Sequence, residues 1–222
     1  MLTKRLNCIL NYVNCKTAAD IGTDHAYIAV ELIKLSKAEK VIATDINEGP
    51  LNIAKNNIIK QGFDDKIETR LGGGLSVLEE GEADNIIIAG MGGELICEII
   101  KNDMEKAKKA TLIIQPMNAQ YEVRKFLTEN GFVIKNEDIE CEGHRVYNII
   151  KAESGKSIPF EKDIYYHIPY YLKENKNFVY LYNKKKNEFI KIIKGMEASV
   201  KSDEEKLNYY KKCLKELEND FS

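Results

Sequence analysis

The sequence predicts an α/β fold in which a doubly wound parallel sheet is followed by a helical hairpin. Short apolar segments alternate with helical patterns through the first two-thirds of the chain, as in parallel sheets covered by helices on both faces. The last two apolar segments are separated by only a few residues, too few for a crossover helix. From position 170 onward the chain has one glycine and no proline, which favours long helices.

Five segments are expected to form the parallel strands, because each is short, apolar and closed by turn residues. They are TAADIG, KVIATDI, KIETRL, ADNIIIAG and ATLIIQP. Helical spacing of apolar residues marks the segments between them: HAYIAVELIKLS, GPLNIAKNNIIKQ, GGELICEIIKN and AQYEVRKFLTEN. A short amphipathic helix is expected before the first strand, within MLTKRLNCILNYV.

The sheet is expected to end in an antiparallel hairpin formed by GFVIKNEDIE and HRVYNIIKAE. The following SGKSIPF is typical of a linker. Apolar residues then recur at helical spacing, and the segment from Lys201 to Asn219 repeats that texture. Two antiparallel helices that turn near Gly195 account for this pattern. We therefore expect a sheet domain at 1–155 and a helical domain at 156–222.

Composition limits the classes of function. The 222 residues are 44% hydrophobic and 31% charged, and the net charge of −2 gives no general attraction to nucleic acid. No apolar run reaches the ~20 residues of a membrane helix. The five cysteines form no C-x-x-C pair, which fits a reducing cytoplasm. Three scattered histidines give little support to a metal site.

The turn after the first strand, DIGTDHA, carries the first candidate site. Gly22 lets a ligand approach the backbone, but the G-x-G-x-x-G of dinucleotide-binding proteins is absent. Asp24 would repel a pyrophosphate, whereas a ligand with sulfonium and ammonium groups tolerates acids such as Asp20 and Asp24. Alternatively, Asp24 and His25 simply cap the next helix.

Two further turns could hold an adenosine. Asp45 ends the second strand, where an acid can accept hydrogen bonds from both ribose hydroxyls; an ordinary turn aspartate is the alternative. Gly72, Gly73 and Gly74 follow the third strand and expose backbone to an adenine ring. Three glycines could equally form a loop without any ligand contact.

The fourth strand opens into Ala89, Gly90, Met91 and Gly92. Many methyltransferases that act on exocyclic amines carry a polar-Pro-Pro-aromatic tetrapeptide at this point, and this chain does not. We therefore expect the acceptor to be held in another way, although a turn that needs glycine for backbone reasons is the alternative. Gln115 and Asn118 end the fifth strand and could bond a base; Asn118 could instead be a helix N-cap.

The tail is locally basic, with seven lysines and two glutamates between Lys173 and Lys194. Lys184, Lys185 and Lys186 are consecutive, and tyrosines lie nearby at positions 165, 166, 170, 171, 180 and 182. Lysines with interleaved aromatic residues can bind RNA backbone and bases. A solvated helical hairpin with packed tyrosines, or a dimerisation element, gives the same pattern.

Taken together, the motifs resemble the bacterial tRNA adenine-22 N1-methyltransferase family. They are KRL near the N-terminus, ADIGTDHAYIA, the GP of NEGPLNIAK, GEADNIIIAGMGGELI, LIIQP and LKENKNF. The resemblance implies a Rossmann-like class I methyltransferase sheet, S-adenosylmethionine as cofactor and tRNA as partner of a cytoplasmic, metal-independent monomer. By position, Asp20, Gly22 and Asp45 would contact the cofactor, with Gly72–Gly74, Ala89 and Gly90 completing its site.

The resemblance also places Asp24 and His25 next to the transferring methyl group, with Asp24 near the Watson–Crick edge of the base. Met91, Gly92, Gln115, Asn118 and Lys184–Lys186 would then contact substrate. Two positions depart from the family: Gly73 replaces a loop acid, and Met117 intervenes between QP and Asn118. A methyltransferase for a small molecule or a protein, and a non-catalytic RNA-binding module, remain alternatives.

Overall fold

A computed structural model describes residues 2–199 and 203–221. The strands are β1 (Cys15–Ile21), β2 (Ala38–Asp45), β3 (Ile67–Leu71), β4 (Asn85–Met91), β5 (Thr111–Pro116), β6 (Phe132–Glu142) and β7 (Arg145–Ser154). They form a seven-stranded sheet with the order β3-β2-β1-β4-β5-β7-β6. β1 to β5 pair in parallel, and β7 pairs antiparallel with both β5 and β6. The predicted sheet with its closing hairpin is therefore confirmed.

The predicted helices are present. They are α1 (Lys4–Asn11), α2 (Tyr27–Lys34), α3 (Glu48–Gln61), α4 (Gly93–Asn102), α6 (Gln120–Glu129), α8 (Phe178–Glu197) and α9 (Glu204–Phe221). Two helices were not predicted, α5 (Met104–Lys108) and α7 (Ile164–His167), and a 3₁₀ turn covers Tyr170–Glu174. These three elements have only four or five residues each, too few for a helical period to show in the sequence.

Alternate residues of the buried strands point to opposite faces of the sheet. In β4, Ile87 joins the core beneath α1, α2 and α3, whereas Ile86 and Ile88 join the core beneath α4 and α6. Both faces are therefore covered, as the continuous apolar strands require. The carboxyl edge of the parallel strands is left as the place for polar residues.

The helical tail forms its own core against the far end of the β6–β7 hairpin. Phe178, Phe189 and Leu217 of the tail pack with Ile139 of β6. Ion pairs Lys186–Glu218 and Lys211–Glu197 hold α8 and α9 antiparallel. α8 ends at Glu197, so the chain turns near Gly195 as predicted, and Lys201 lies outside the described residues. The division into two domains at residue 155 stays a prediction.

A buried ion pair ties the start of the tail to the sheet. Arg124 of α6 and Glu137 of β6 have fully buried side chains, joined by a 2.5 Å contact from Nη2 to Oε1. Nη1 of Arg124 donates to the carbonyl of Tyr166 at 2.7 Å, and Glu137 accepts from the hydroxyl of Tyr171 at 2.9 Å. Losing one partner would leave a buried charge uncompensated. No helix in the described ranges is long and apolar enough to span a bilayer.

Candidate active site

The predicted site residues gather at the carboxyl edge of the parallel strands. β1 lies between β2 and β4. After β1 the chain continues to β2 on one side, and after β4 it continues to β5 on the other, which opens a crevice between β1 and β4. Ligands of open α/β sheets bind in such crevices. Asp20 lies near the end of β1, Asp45 ends β2, and Ala89 to Met91 end β4.

A cavity of about 540 Å³ opens beside the ends of β1, β2 and β3. Asp45 lines this cavity, and its Oδ1 accepts a hydrogen bond from the backbone amide of Asn47 at 2.8 Å. Gly72, Gly73 and Gly74 line the same cavity, so part of its wall is bare backbone. This arrangement suits a ribose held by a carboxylate and a ring lying against peptide groups.

Position 73 faces Ile46 across this cavity. A β-carbon at Gly73 would lie 3.3 Å from Cδ1 of Ile46, whose residue is 70% exposed. The loop acid that the resemblance leads one to expect here is therefore replaced by glycine beside an apolar side chain. Only backbone groups of Gly73 can contact an adenine.

The backbone conformation at position 22 favours glycine. Its φ of +72° is a conformation that side chains disfavour. A β-carbon here would also overlap Cε of Met91, the end of a flexible side chain that could move aside. Met91 therefore occupies the space that a side chain at position 22 would need, and both residues line the larger cavity.

Asp20 is a buried acid with the electrostatics of a cation receptor. The residue is 3% exposed, and its Oδ2 accepts a hydrogen bond from Oγ1 of Thr23 at 2.6 Å. Burial raises the pKa of Asp20 from 3.8 to about 6, partly offset by the hydrogen bond from Thr23. A positively charged ligand group would compensate for this desolvation.

A second cavity of about 260 Å³ adjoins the first, since Gly22 lines both. Asp20, Asp24, His25 and Gly90 line the smaller cavity. It therefore brings the two acids of the DIGTDHA turn together with the end of β4, and leaves Asp45 in the larger cavity. The crevice is divided into a part suited to an adenosine and a part beside Asp24.

The turn that carries Asp24 and His25 is not a helix cap. α2 begins at Tyr27 behind Ala26, which has a φ of +57° and makes no side-chain capping bond, so the capping alternative is wrong. Asp24 itself has a φ of +50°, a strained conformation that is found often at functional sites. Its carboxylate is 69% exposed and lies 3.7 Å from Nε2 of His25, whose ring stacks on Tyr27.

Asn118 holds the start of α4. Its Oδ1 accepts a hydrogen bond from the backbone amide of Gly93 at 3.0 Å, and α6 begins behind Ala119 without a side-chain cap. The interpretation of Asn118 as the N-cap of α6 is therefore wrong. A β-carbon at Gly93 would lie 2.7 Å from two backbone oxygens, those of Asn118 and Ala119. Packing therefore requires glycine at position 93.

Gln115 lies inside the protein rather than on the crevice wall. It is fully buried, its Nε2 donates to the carbonyl of Pro116 at 3.0 Å, and its Oε1 accepts from Nη1 of Arg5 at 2.5 Å. A direct contact between Gln115 and a base is therefore blocked by its burial. The structure instead places Gln115 behind Arg5.

The three consecutive lysines of the tail lie in three different environments. Lys184 is exposed and its Nζ donates to the carbonyl of Val146, whereas Lys185 is buried and pairs with Glu188 at 3.0 Å. Lys186 pairs with Glu218 at 2.8 Å. Lys184 and Lys185, together with Gly92, Met117 and Asn118, line a cavity of about 780 Å³. This cavity joins the end of β4 to the tail, and Lys186 does not line it.

Sequence reasoning missed five residues of the smaller cavity, and three of them carry polar side chains. Arg5 of α1, Thr23 and Tyr27 all line it. Thr23 could have been found from its position three residues after Asp20 in a turn. Arg5 reaches the crevice from α1, 110 residues from Gln115, and no local pattern reveals such a contact.

The residues present fit a cofactor that is cationic at one end and a nucleoside at the other. Asp20 is a buried carboxylate that could receive an ammonium group, and Asp45 with Gly72 to Gly74 lines a cavity that could hold a ribose and a ring. Within the described residues, no group of three or more histidine, cysteine, aspartate or glutamate side chains could hold a metal ion.

Comparisons with known proteins agree with this geometry. Residues 2–150 match the model of a methyltransferase domain family. The chain is 38% identical over 156 residues to the tRNA (adenine(22)-N(1))-methyltransferase of Bacillus subtilis, and the aligned part covers 69% of this chain and 66% of that protein.

Solved structures extend the similarity over the whole chain. The B. subtilis m1A22 tRNA methyltransferase TrmK is 29% identical with a TM-score of 0.89, covering 100% of this chain and 99% of that one. The M. capricolum TrmK, solved with the cofactor product S-adenosylhomocysteine, is 28% identical with a TM-score of 0.85, covering 100% and 98%. The family predicted from the motifs is confirmed: the chain belongs to the class I methyltransferases and, within them, to the tRNA (adenine-22 N1)-methyltransferase family.

Proposed function

We propose that this chain transfers a methyl group from S-adenosylmethionine to N1 of an adenine in tRNA, at position 22. The observation that carries the proposal is the divided crevice. Asp45 lines the larger cavity, and the smaller cavity, which shares Gly22 with it, holds the buried Asp20 of raised pKa together with the exposed Asp24 beside the end of β4. The similarity to tRNA (adenine-22 N1)-methyltransferases supports tRNA as the substrate.

Asp20 and Asp45 hold the cofactor in this proposal. Asp20 faces the ammonium group, Asp45 accepts hydrogen bonds from the ribose hydroxyls, and the backbone of Gly72–Gly74 lies against the adenine ring. The cofactor supplies a methyl group on a positively charged sulfur. Aligning that methyl group with N1 of the base can lower the barrier by roughly 7–11 kcal/mol, so we assign most of the rate to positioning.

Asp24 acts on the acceptor base. N1 of neutral adenine already has a lone pair, and no proton has to leave before it attacks. The product base is a cation whose N6 amine has become more acidic. A carboxylate near this edge orients N6 and stabilises the developing positive charge. We assign His25, whose Nε2 lies 3.7 Å from this carboxylate, to orienting Asp24 or to contacting the base.

Methyl transfer to wild-type and Asp24→Asn protein tests this function directly. The wild type should form N1-methyladenosine in unmodified bacterial tRNA, identified after digestion to nucleosides. Asp24→Asn should lower kcat by at least tenfold and leave the Kd for S-adenosylhomocysteine unchanged. Asp64→Asn, an exposed acid outside the crevice, is the matched control. A wild type that binds cofactor but methylates no tRNA would point to a small-molecule or protein acceptor.

The tail supplies RNA backbone contacts in this proposal, which offset the few kcal/mol that exposing a paired base costs. Tyr170, Tyr171 and Tyr180 are exposed, whereas Tyr166 is buried. The hydroxyl of Tyr171 is bonded to Glu137, so Tyr170 and Tyr180 are the exposed tyrosines best placed for stacking. Lys184 is the best placed lysine, because it is exposed and lines the cavity that begins at the end of β4. Lys184→Ala should reduce the salt dependence of tRNA binding by about one ion per complex. Lys186→Ala, whose amine pairs with Glu218, should reduce it less.

We also propose that the protein is a cytoplasmic monomer. The five cysteines are free thiols, as is typical of a reducing compartment. Static light scattering across a range of protein concentrations measures the mass. A constant mass near 25.3 kDa supports the monomer, and a doubled mass would assign the tail to dimerisation.

A further inference from the structure

Arg5 places a guanidinium group at the end of β4, in the same cavity as Asp24. It lines the smaller cavity, and a β-carbon at Gly90 would lie 3.5 Å from its Nη1. The polar-Pro-Pro-aromatic tetrapeptide of many amine methyltransferases is absent from this end of β4. Here the side chain that reaches this position carries only donors.

The guanidinium is held from behind by buried groups. Its Nη1 donates to Oε1 of Gln115 at 2.5 Å, and its carbon lies 5.5 Å from the centre of the Tyr147 ring. Gln115 is fully buried and Tyr147 is 7% exposed. Because Nε2 of Gln115 donates to the carbonyl of Pro116, its Oε1 is the atom turned toward Arg5. The backbone amide of Arg5 is fixed by Oε1 of Glu142 at 2.6 Å.

Such support distinguishes Arg5 from an ordinary surface cation. No carboxylate of the described residues forms an ion pair with its guanidinium, although Asp20 and Asp24 line the same cavity. A guanidinium has five N–H donors, and the bond to Gln115 uses one. The others are available to a ligand that presents acceptors in the cavity.

We propose that Arg5 donates a hydrogen bond to a ring nitrogen of the target adenine, N7 or N3, and thereby makes the site specific for a purine, with Asp24 distinguishing adenine from guanine. This inference rests on the proposed function and names how its base is read. N1 has to face the methyl group, so the remaining ring acceptors of adenine are N7 and N3. Gln115 acts as a positioning residue for Arg5.

Arg5 and Asp24 together give a two-sided test of the base. The donors of Arg5 require a ring acceptor at N7 or N3 of a purine, which a pyrimidine lacks. The carboxylate of Asp24 requires an amine at C6, which adenine has and guanine replaces with a carbonyl. Only adenine satisfies both residues.

The two residues should differ in their kinetic effects. Arg5 is a cation beside a base that becomes a cation, so its hydrogen bond does not strengthen as the methyl group is transferred. Loss of Arg5 should therefore raise KM for tRNA by about tenfold and change kcat little. Loss of Asp24 should lower kcat, because that contact strengthens in the transition state.

Synthetic tRNAs with one atom changed in the target adenine test the proposal. One carries 7-deazaadenine and another 3-deazaadenine, each of which replaces a ring acceptor with a C–H group. With the wild type, one of the two should lose about tenfold in kcat/KM. With Arg5→Ala, the same deaza base should cause no further loss of kcat/KM, because the side chain that bonded the replaced nitrogen is absent. Lys4→Ala, the exposed neighbour on α1, should retain the wild-type discrimination.

Gln115→Leu is a second variant that leaves the guanidinium in place without its support, and it should weaken the same discrimination. An unchanged Kd for S-adenosylhomocysteine shows that each variant is folded. Equal rates of the wild type on all three tRNAs would overturn the proposal, as would a deaza effect that persists in Arg5→Ala. A lower salt slope for Arg5→Ala with no change in discrimination would assign Arg5 to a phosphate and also overturn it. Failure of the wild type to methylate unmodified tRNA would instead refute the proposed function.

Discussion

Asp20→Asn is the substitution that best separates the two sides of the crevice. Asp20 is buried, accepts one hydrogen bond from Thr23, and has a pKa of about 6. If it faces the ammonium group of the cofactor, only its ionised form binds well. Protonation of Asp20 then competes with the cofactor, and binding should release a proton at low pH.

The pKa sets the size of this effect. With a pKa of about 6, roughly one tenth of Asp20 is ionised at pH 5 and nine tenths at pH 7, so the Kd should be about tenfold higher at pH 5. The Asp20→Asn variant has no ionisable group at this position, and it should bind weakly with no change between pH 5 and 7. At pH 7 the loss should be about 10- to 100-fold, as expected for a hydrogen bond to a charged group.

The same substitution should stabilise the unliganded protein. The pKa of Asp20 is raised by folding, so the folded state holds its proton more tightly. Stability is therefore lost as the pH rises from about 4 to about 6, by roughly 3 kcal/mol in all. Asp20→Asn avoids this loss and should raise the Tm above pH 6. A gain in stability together with a loss of binding is typical of a residue kept for a ligand.

Isothermal titration calorimetry with S-adenosylhomocysteine measures the affinity. Repeating the titration in buffers of different ionisation enthalpy gives the number of protons released on binding. Asp24→Asn is the control, because its carboxylate is exposed and should not alter the pH dependence. A wild-type Kd that stays constant between pH 5 and 7 would refute the reasoning, and so would an Asp20→Asn variant that binds as the wild type does.

Two packing features also give measurable predictions. Gly93→Ala should lower the Tm by several degrees, since its β-carbon would lie 2.7 Å from backbone oxygens of the 118–119 loop and overpacking costs about 1–3 kcal/mol. Gly49→Ala, with no atom within 4 Å of its β-carbon, should not lower it, and equal shifts would contradict the packing argument. Arg124→Met should cost about 3–5 kcal/mol in urea unfolding, because it leaves Glu137 as a buried unpaired charge. A cost below about 1 kcal/mol would show that water reaches this pair.

The fold could be predicted from the sequence because its signals are local. Each parallel strand is an apolar run closed by turn residues, and the missing crossover after β6 indicates the hairpin. The family follows from two turns, ADIGTDHAY and IAGMGG, whose residues lie within a few positions of one another. α5 and α7 escaped prediction because four or five residues are too few to show a period.

Contacts between distant segments could not be predicted. Gln115 has the polarity of a base-binding residue. Its burial and its bond to Arg5, however, depend on where α1 packs, and Arg5 is 110 residues away in the sequence. Asn118 was expected to bind a base or to cap a helix; its Oδ1 accepts from the backbone amide of Gly93 at the start of α4, and a contact with a base stays a prediction. Three consecutive lysines point around a helix at intervals of about 100°. Lys184 to Lys186 therefore lie in separate environments, which composition alone does not reveal.

The positions of the acids follow from the movement of charge in methyl transfer. The reactants carry a positive charge on the cofactor sulfur and the products carry it on the base, so the charge moves toward the side on which Asp24 lies. In the proposed mechanism the buried Asp20 faces a charge that is the same before and after transfer, which stabilises binding without changing the barrier. Asp24 would lie where charge appears, but it is 69% exposed, and water screens an exposed carboxylate. Its effect therefore depends on the tRNA covering the cavity. Asp24→Asn should slow methylation of intact tRNA more than that of a short adenine-containing oligonucleotide, and equal effects on both would show that the RNA does not exclude water from this carboxylate.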